Sequence, residues 1–403
     1  MKKSEKTNYK KPNKAIYLIA TGLLRVFFTL FYRLKVTRSL EGVTTPFIAL
    51  CNHPSNIDFL ISGLALRPFY TNYLTAKYHF RNKGLCWLLK IMGCIEKEQF
   101  VPDANAIINV FRILRGGGAV MIYPEGQSSL TGQSSPIDRS IVKLLRKANV
   151  PVLNIHLEGS HVALPKWNMR RLRPSRIDVH VSVLLTREQL ASLNDEQIYQ
   201  AVCEGLAFDE YEWQRQRLIA SHRPRNAEGL ERILFTCRHC HEEMVLRTKG
   251  SRLYCSRCGK AYQLDEFGFL RPEEAGDMIT PTEWYRWQKD RLRAQVCDDF
   301  LMREPARLMR ITENGAYVAA GQGTVSLDIE ALAFTGEADG QPVSFALPNK
   351  LTALLAHEKL FGFDVATGQG LFCICPQERQ SIVKFVIMKE LFYERLHSTA
   401  ACQ

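Results

Sequence analysis

The sequence predicts an α/β domain behind an apolar N-terminal helix, then a small cysteine ribbon, then a mainly-β domain capped by a helix. Three observations predict this order. Short apolar runs at 47–51, 118–123, 150–157 and 177–185 alternate with helical patterns at 58–66 and 140–148, the texture of a mixed or parallel sheet covered by helices. Two Cys-x2-Cys pairs, Cys237/Cys240 and Cys255/Cys258, lie fourteen residues apart. From about 305 to 378 short strand-like runs alternate with turn signals such as Glu313-Asn314-Gly315 and Thr335-Gly336, and Ser381 to Leu396 then has helical periodicity. A chain of 403 residues accommodates these parts at roughly 100–200 residues per domain. The expected divisions are 1–38, 39–190, a helical linker 191–234, the ribbon at 235–270, a second helical linker 280–300, and a β-domain at 301–400. That last domain is pleckstrin-homology-like by fold analogy alone.

The N-terminal segment carries most of the charge. The formal net charge is +12. Residues 1–38 hold ten lysines and arginines against Glu5 alone, so nine of those twelve charges sit in the first tenth of the chain. Such an end points to a polyanionic surface, nucleic acid or an anionic bilayer. Ala15 to Tyr32 is apolar apart from Thr21, Gly22, Arg25 and Thr29, which favours the bilayer. The run is short for a full span, Arg25 near its middle is costly in hydrocarbon, and no small-x-small cleavage site follows. The expectation is a helix lying in the membrane interface at the cytoplasmic face, its lysines on anionic headgroups. A buried core helix with a basic tail is the alternative. The twelve cysteines show no secretory framework, which fits a reducing compartment.

The first strand, Phe47 to Cys51, opens into Asn52-His53-Pro54-Ser55-Asn56-Ile57-Asp58. A hydroxyl that attacks a carbonyl must lose its proton, and imidazole accepts one near neutral pH. A carboxylate on the other ring nitrogen fixes the tautomer and supports the imidazolium. Five positions apart on one helix the two side chains would diverge. Pro54, with Ser55 or Asn56 as helix cap, makes a turn from which Asp58 reaches back to His53. By itself this spacing is equally compatible with a capping turn and a solvent-facing His53. The second strand opens into Tyr123-Pro124-Glu125-Gly126-Gln127-Ser128-Ser129, where Gly126 permits an unusual backbone path. Glu125, Gln127 and the serines could hold a polar head group.

These motifs together resemble the lysophospholipid acyltransferase family, the 1-acylglycerol-3-phosphate acyltransferases in particular. The family carries Asn-His-x4-Asp after a strand, Phe-Pro-Glu-Gly-Thr-Arg later, and Val-Pro-Val beyond. This chain has Asn52-His53 with Asp58, Tyr123-Pro124-Glu125-Gly126, and Val150-Pro151-Val152, in the same order across residues 40–190. The resemblance implies an O-acyltransferase with His53 as base and Asp58 as its orienter. It implies no covalent acyl-enzyme and an acyl-CoA or acyl-carrier-protein thioester as donor. The acceptor is a lysophospholipid in a membrane, bound around Asn52, Glu125, Gly126, Gln127 and Ser128. Two family arginines are missing: Ser128 stands at one, and Gln99, in Gly93-Cys94-Ile95-Glu96-Lys97-Glu98-Gln99, at the other. Serine and glutamine do not reproduce bidentate guanidinium–phosphate geometry. Lys97 could supply a point charge, as could Lys166, Arg170, Arg171, Arg173 and Arg176, although these last also read as a solvated basic face. A different lipid acceptor therefore stays open beside 1-acylglycerol 3-phosphate.

The cysteine pairs read as a zinc ribbon in which Cys237, Cys240, Cys255 and Cys258 close a tetrahedron around a structural Zn2+. A redox dithiol is the alternative, and His239 and His241 are not expected among the ligands. Ribbons and basic ends also occur in nucleic-acid-binding proteins. Here the basic run is fused to an apolar helix and the ribbon has mixed charge, so no nucleic acid is expected. A non-catalytic membrane scaffold has the missing arginines in its favour.

Overall fold

The computed structural model describes residues 14–81, 83–97, 103–168, 173–221, 224–313, 315–357 and 360–398. The lysines before residue 14 and Glu98, Gln99, Arg170 and Arg171 lie outside them. The chain divides into two compact units, one of residues 1–166 with 171–221, the other of residues 167–170 with 222–403.

In the first unit the elements run α1 (Lys14–Tyr32), β1 (Lys35–Ser39), β2 (Phe47–Cys51), α2 (Asp58–Ala65), β3 (Thr71–Ala76), α3 (Lys83–Ile91), β4 (Ile95–Lys97), α4 (Ala104–Arg115), β5 (Ala119–Ile122), α5 (Ser140–Ala148), β6 (Val152–Glu158), α6 (Ser160–Ala163), β7 (Asp178–Leu185), α7 (Arg187–Ser192), α8 (Asp195–Leu206) and α9 (Glu210–Arg217). Seven strands form one sheet in the order β1-β7-β6-β2-β5-β3-β4. Neighbours are parallel except β6 and β7, which are antiparallel. Phe47 to Cys51 is buried at every position, as a central strand covered on both faces must be.

Local chemistry sets the helix starts. Asp103 accepts from the Ala106 N–H, and Thr186 and Asn194 open α7 and α8 with reciprocal capping boxes to Gln189 and Gln197. The apolar side of α8 (Ile198, Val202, Leu206) joins the core of Ile48, Val120 and Val152. The segment 191–221, expected as linker, thus closes the first unit, because three apolar residues at helical spacing need a partner surface. One expectation about α2 changes too. Its N-cap is Ile57, with no side-chain cap, so neither Ser55 nor Asn56 caps it.

Helix α1 is long and apolar enough to cross a membrane by length and composition. Tyr17, Thr21, Phe28 and Tyr32 are buried, while Ile19, Leu23, Val26 and Leu30 are 59–79% exposed on the opposite side. Tyr17 donates to the Gly63 carbonyl of α2.

The second unit holds a four-stranded antiparallel ribbon, β8 (Leu246–Lys249), β9 (Arg252–Cys255), β10 (Ala261–Leu264) and β11 (Leu270–Pro272), then α10 (Pro281–Arg293). Helix α10 is packed within the unit rather than strung as a linker: buried Trp284 donates its indole N–H to the Thr236 carbonyl, and Gln288 pairs with Ile233 and Phe235. The C-terminal β-domain follows as β12 (Met302–Ile311), β13 (Tyr317–Leu327), β14 (Ala331–Ala338), β15 (Gln341–Pro348), β16 (Phe363–Thr367) and β17 (Gly370–Pro376), capped by α11 (Ser381–Ser398). Its sheet is antiparallel in the order β15-β14-β13-β12-β17-β16, and the rings of Phe363 and Phe385 seat α11 on it, 5.6 Å apart.

Candidate active site

Strands β2 and β5 are parallel neighbours, with Phe47 opposite Ala119 and Leu50 opposite Ile122. The turns that follow them therefore emerge side by side at the carboxyl edge of the sheet, where sites in open α/β sheets lie. This pairing closes a gap of 72 residues in sequence: the His53 N–H donates to Glu125 Oε1 at 2.9 Å. The Ser129 N–H donates back to the His53 carbonyl at 2.9 Å.

Asp58 opens α2 and turns back on the preceding loop. Its Oδ2 lies 3.0 Å from His53 Nδ1 and accepts the Ser55 N–H at 2.7 Å. The carboxylate is fully buried, while the imidazole keeps 18% exposure. The Tyr123 ring packs against the imidazole with centroids 4.5 Å apart, and its hydroxyl is held 2.7 Å from Ser62 Oγ. Burial pushes the Asp58 carboxyl above its ordinary value, while His53 and the Ser55 N–H pull it back toward the anion. With Oδ2 facing Nδ1, the imidazole is set to carry its proton on Nδ1 and leave Nε2 as the acceptor.

The other residues expected around the acceptor have different surroundings. Asn52 is fully buried. Its amide donates to the Leu157 carbonyl at 2.9 Å and accepts the Leu157 N–H at 2.8 Å. It clips the end of β2 to β6. Glu125 is fully buried as well, and its second oxygen accepts the Ser135 N–H at 2.8 Å. Burial raises its carboxyl to about 7, against the pull of the Ser135 and His53 N–H groups. Each carboxylate oxygen thus accepts one main-chain N–H. Gly126 turns the chain at φ 75°. Gln127 and Ser128 are buried, the Ser128 hydroxyl has no hydrogen-bond partner among the described residues, and the Ser128 carbonyl accepts from Lys166 Nζ at 3.3 Å. Lys97 ends β4, three strand positions from β2. At about 4.8 Å per strand that is roughly 14 Å away, so the structure does not bring it to the dyad.

Several residues that sequence reasoning passed over complete the site. Glu210 of α9 accepts the Gly159 N–H on both oxygens, at 2.9 and 2.8 Å, and so anchors the turn that carries Ser160 to Asp58. His161 Nδ1 lies 3.1 Å from the Pro54 carbonyl, and burial lowers its imidazole to about 3. The only signal in the sequence was Gly159-Ser160 at the end of a buried strand. Glu210 has none.

The four cysteines converge in the second unit. Cys237 and Cys258 have sulfurs 3.7 Å apart, as do Cys240 and Cys255, and all four lie within 4.8 Å of one another. Zn–S bonds of about 2.3 Å make a tetrahedron with edges of about 3.8 Å, so these thiols fit a tetrahedral ion. Each knuckle closes in the same way: the His241 N–H donates to the Cys237 carbonyl and the Gly259 N–H to the Cys255 carbonyl. Both turning residues have positive φ. The His241 ring faces Trp287, with centroids 5.8 Å apart.

Comparison with known proteins places the first unit. Residues 33–158 match the family model described as Acyltransferase. A 1-acyl-sn-glycerol-3-phosphate acyltransferase of Bacillus subtilis is 21% identical over 192 residues, 47% of this chain and 93% of that protein. One from Cocos nucifera is 28% identical over 141 residues, 34% of this chain and 46% of that protein. The chain thus spans nearly the whole Bacillus relative but less than half of the Cocos one. Among solved structures, the 1-acyl-sn-glycerophosphate acyltransferase PlsC of Thermotoga maritima aligns over 48% of this chain and 79% of its own, with 17% identity and a TM-score of 0.39.

Proposed function

We propose, from the premise that residues 33–158 form an acyltransferase domain, that this protein moves a fatty acyl group from a thioester donor onto the hydroxyl of a lysophospholipid such as 1-acylglycerol 3-phosphate. The observation that carries the reading is the buried Asp58 carboxylate on His53 Nδ1 at 3.0 Å, with the imidazole still reaching the surface. In the reaction His53 Nε2 takes the proton of the acceptor hydroxyl as its oxygen bonds to the thioester carbonyl carbon. Asp58 stabilises the imidazolium that forms. The tetrahedral intermediate collapses by breaking the C–S bond, and the leaving thiolate takes the proton from Nε2, which returns His53 to its starting state. The balance needs neither a covalent acyl-enzyme nor a metal ion. General-base action of this kind is worth about 10²–10⁴ in rate.

Asn52, Glu125 and Ser129 serve this chemistry by fixing the main chain of the His53 loop. Acceptor contacts then fall to the Gly126–Ser128 turn. Ser128, where the resembling family has an arginine, favours testing acceptors other than 1-acylglycerol 3-phosphate. The donor is an acyl-CoA or an acyl-carrier-protein thioester.

Helix α1 supports membrane association in the interfacial mode, because only one side of it is apolar and open while the other is packed on the domain. The cytoplasmic face, where acyl thioesters are made, is the side proposed. The four thiols would hold a structural Zn2+, with no open coordination position for chemistry. The test is thiol release from acyl-CoA and from acyl-carrier protein with a panel of lysolipids, comparing wild type with His53→Ala. A folded His53→Ala variant that still transfers acyl groups would refute the mechanism. Transfer confined to acceptors without a phosphate monoester would move the acceptor assignment.

A further inference from the structure

Three guanidinium groups gather where α1 crosses the end of α2. Arg38, on β1, donates Nε to the Ala65 carbonyl at 2.7 Å and Nη2 to the Leu64 carbonyl at 3.3 Å. It thereby sits on the C-terminal end of α2, where a cation is favoured. Arg67 leaves that same end two residues later, and a Cβ on Gly22 of α1 would stand 3.9 Å from its Nη1. Arg25 lies one turn beyond Gly22. It is four residues after Thr21 and three before Phe28, both buried, so it points along the domain side of α1 and away from the exposed stripe of Leu23, Val26 and Leu30. The charges are close enough that Arg25 and Arg67 both act to lower the Arg38 guanidinium, after burial. Arg25 and Arg38 are exposed and Arg67 half-buried. Among the described residues no carboxylate forms an ion pair with any of the three.

Like charges gathered at one place cost energy unless an anion joins them. Guanidinium forks match the oxygens of a phosphate diester. An apolar stripe beside such a cluster sets the depth at which that phosphate would lie, at the level of the headgroups with α1 flat beneath them. We propose that Arg25, Arg38 and Arg67 form a binding site for the phosphate of an anionic phospholipid in the bilayer on which α1 lies. The site is separate from the dyad turn, and its occupant orients the domain on the membrane rather than reacting. The same arrangement accounts for an arginine within an apolar helix: Arg25 faces the headgroups and the domain, never the hydrocarbon.

This inference rests on the interfacial reading of α1. The experiment measures partition of the full chain onto phosphatidylcholine vesicles with and without about a third of phosphatidylglycerol, at constant ionic strength, for wild type, Arg25→Gln/Arg67→Gln and Arg25→Lys/Arg67→Lys. Arg38 is left in place because it caps α2. At about fivefold per charge near the surface, loss of two charges should cost the Gln pair roughly ten- to twenty-fivefold on the anionic vesicles and less than twofold on the neutral ones. The Lys pair, with charge but no fork, should fall between. Wild type that binds neither vesicle refutes the interfacial reading and this site with it. Wild type whose anionic preference survives in the Gln pair refutes the site alone. Equal loss on both vesicles assigns the arginines to packing and also refutes it, and far-UV circular dichroism with the Lys pair covers misfolding of the Gln pair. Inorganic phosphate that displaces wild type better than chloride at equal ionic strength would make the ligand free phosphate, not lipid.

Discussion

Replacement of Asp58 by asparagine separates two things that the carboxylate does for His53. Oδ2 alone meets both His53 Nδ1 and the Ser55 N–H, at 3.0 and 2.7 Å, while Oδ1 has no hydrogen-bond partner among the described residues. The substituted amide can therefore place its oxygen where Oδ2 is and its NH2 where Oδ1 is, near the Ser160 hydroxyl. The tautomer survives and the charge does not. What is lost is attraction between carboxylate and imidazolium, which at 3.0 Å and an effective dielectric of about 20 comes to about 5.5 kcal/mol. Solvent at the partly exposed imidazole reduces this to about 3–4 kcal/mol, a fall of about a hundred- to a thousandfold in kcat at 1.36 kcal/mol per decade. Asp58→Ala removes the acceptor of both N–H groups as well, and its kcat should approach that of His53→Ala. The assay is thiol release under saturating acceptor, with the fold checked by thermal melting. A folded Asp58→Asn enzyme within threefold of wild-type kcat would refute a supporting role for the charge. Loss as deep as that of His53→Ala would refute the retained tautomer.

Two further predictions concern the supports of this site and the ribbon. Glu125 titrates near 7 in the fold against an ordinary 4.5, so the folded state holds its proton more tightly, and the stability this gives below about pH 4.5 is lost as pH rises through 7. Glu125→Gln should flatten the fall in melting temperature between pH 5 and 8. It should also cost about 1–3 kcal/mol at pH 5, because one of the His53 and Ser135 N–H groups then faces an NH2. Parallel melting curves for the two proteins would count against the assignment. Metal analysis of reduced, purified protein should find one zinc per chain, and Cys237→Ser/Cys255→Ser none. Chelation should lower the melting temperature of wild type and leave that of the double variant unchanged. Wild type free of zinc would remove the ribbon assignment.

The sequence by itself determined the chemistry available and the local elements that present it. An apolar run ending in Asn52-His53, a proline that breaks the geometry, and Asp58 at the start of a helix lie within seven residues, so their relation follows from local backbone rules. The same holds for two Cys-x2-Cys knuckles and for α5, whose bounds 140–148 the periodicity marks. Tertiary structure alone decided which polar groups meet. The resemblance puts Asn52 and Glu125 at the acceptor site, and nothing local in the sequence says which main-chain groups they meet. The parallel pairing of β2 with β5 and β6 brings them to the main chain at Leu157, His53 and Ser135. Lys97 belongs to a suggestive motif, but the sheet order removes it to the edge. Glu210 anchors the Gly159 turn through hydrogen bonds that no spacing in the sequence encodes. Arg25 lies in α1, Arg38 in β1 and Arg67 just beyond α2, and they become one cluster only when α1 packs across α2. The physical reason is range. Propensity, capping and periodicity act within about ten residues, whereas the partner of a buried polar group is chosen by strand register and helix packing among residues tens of positions apart.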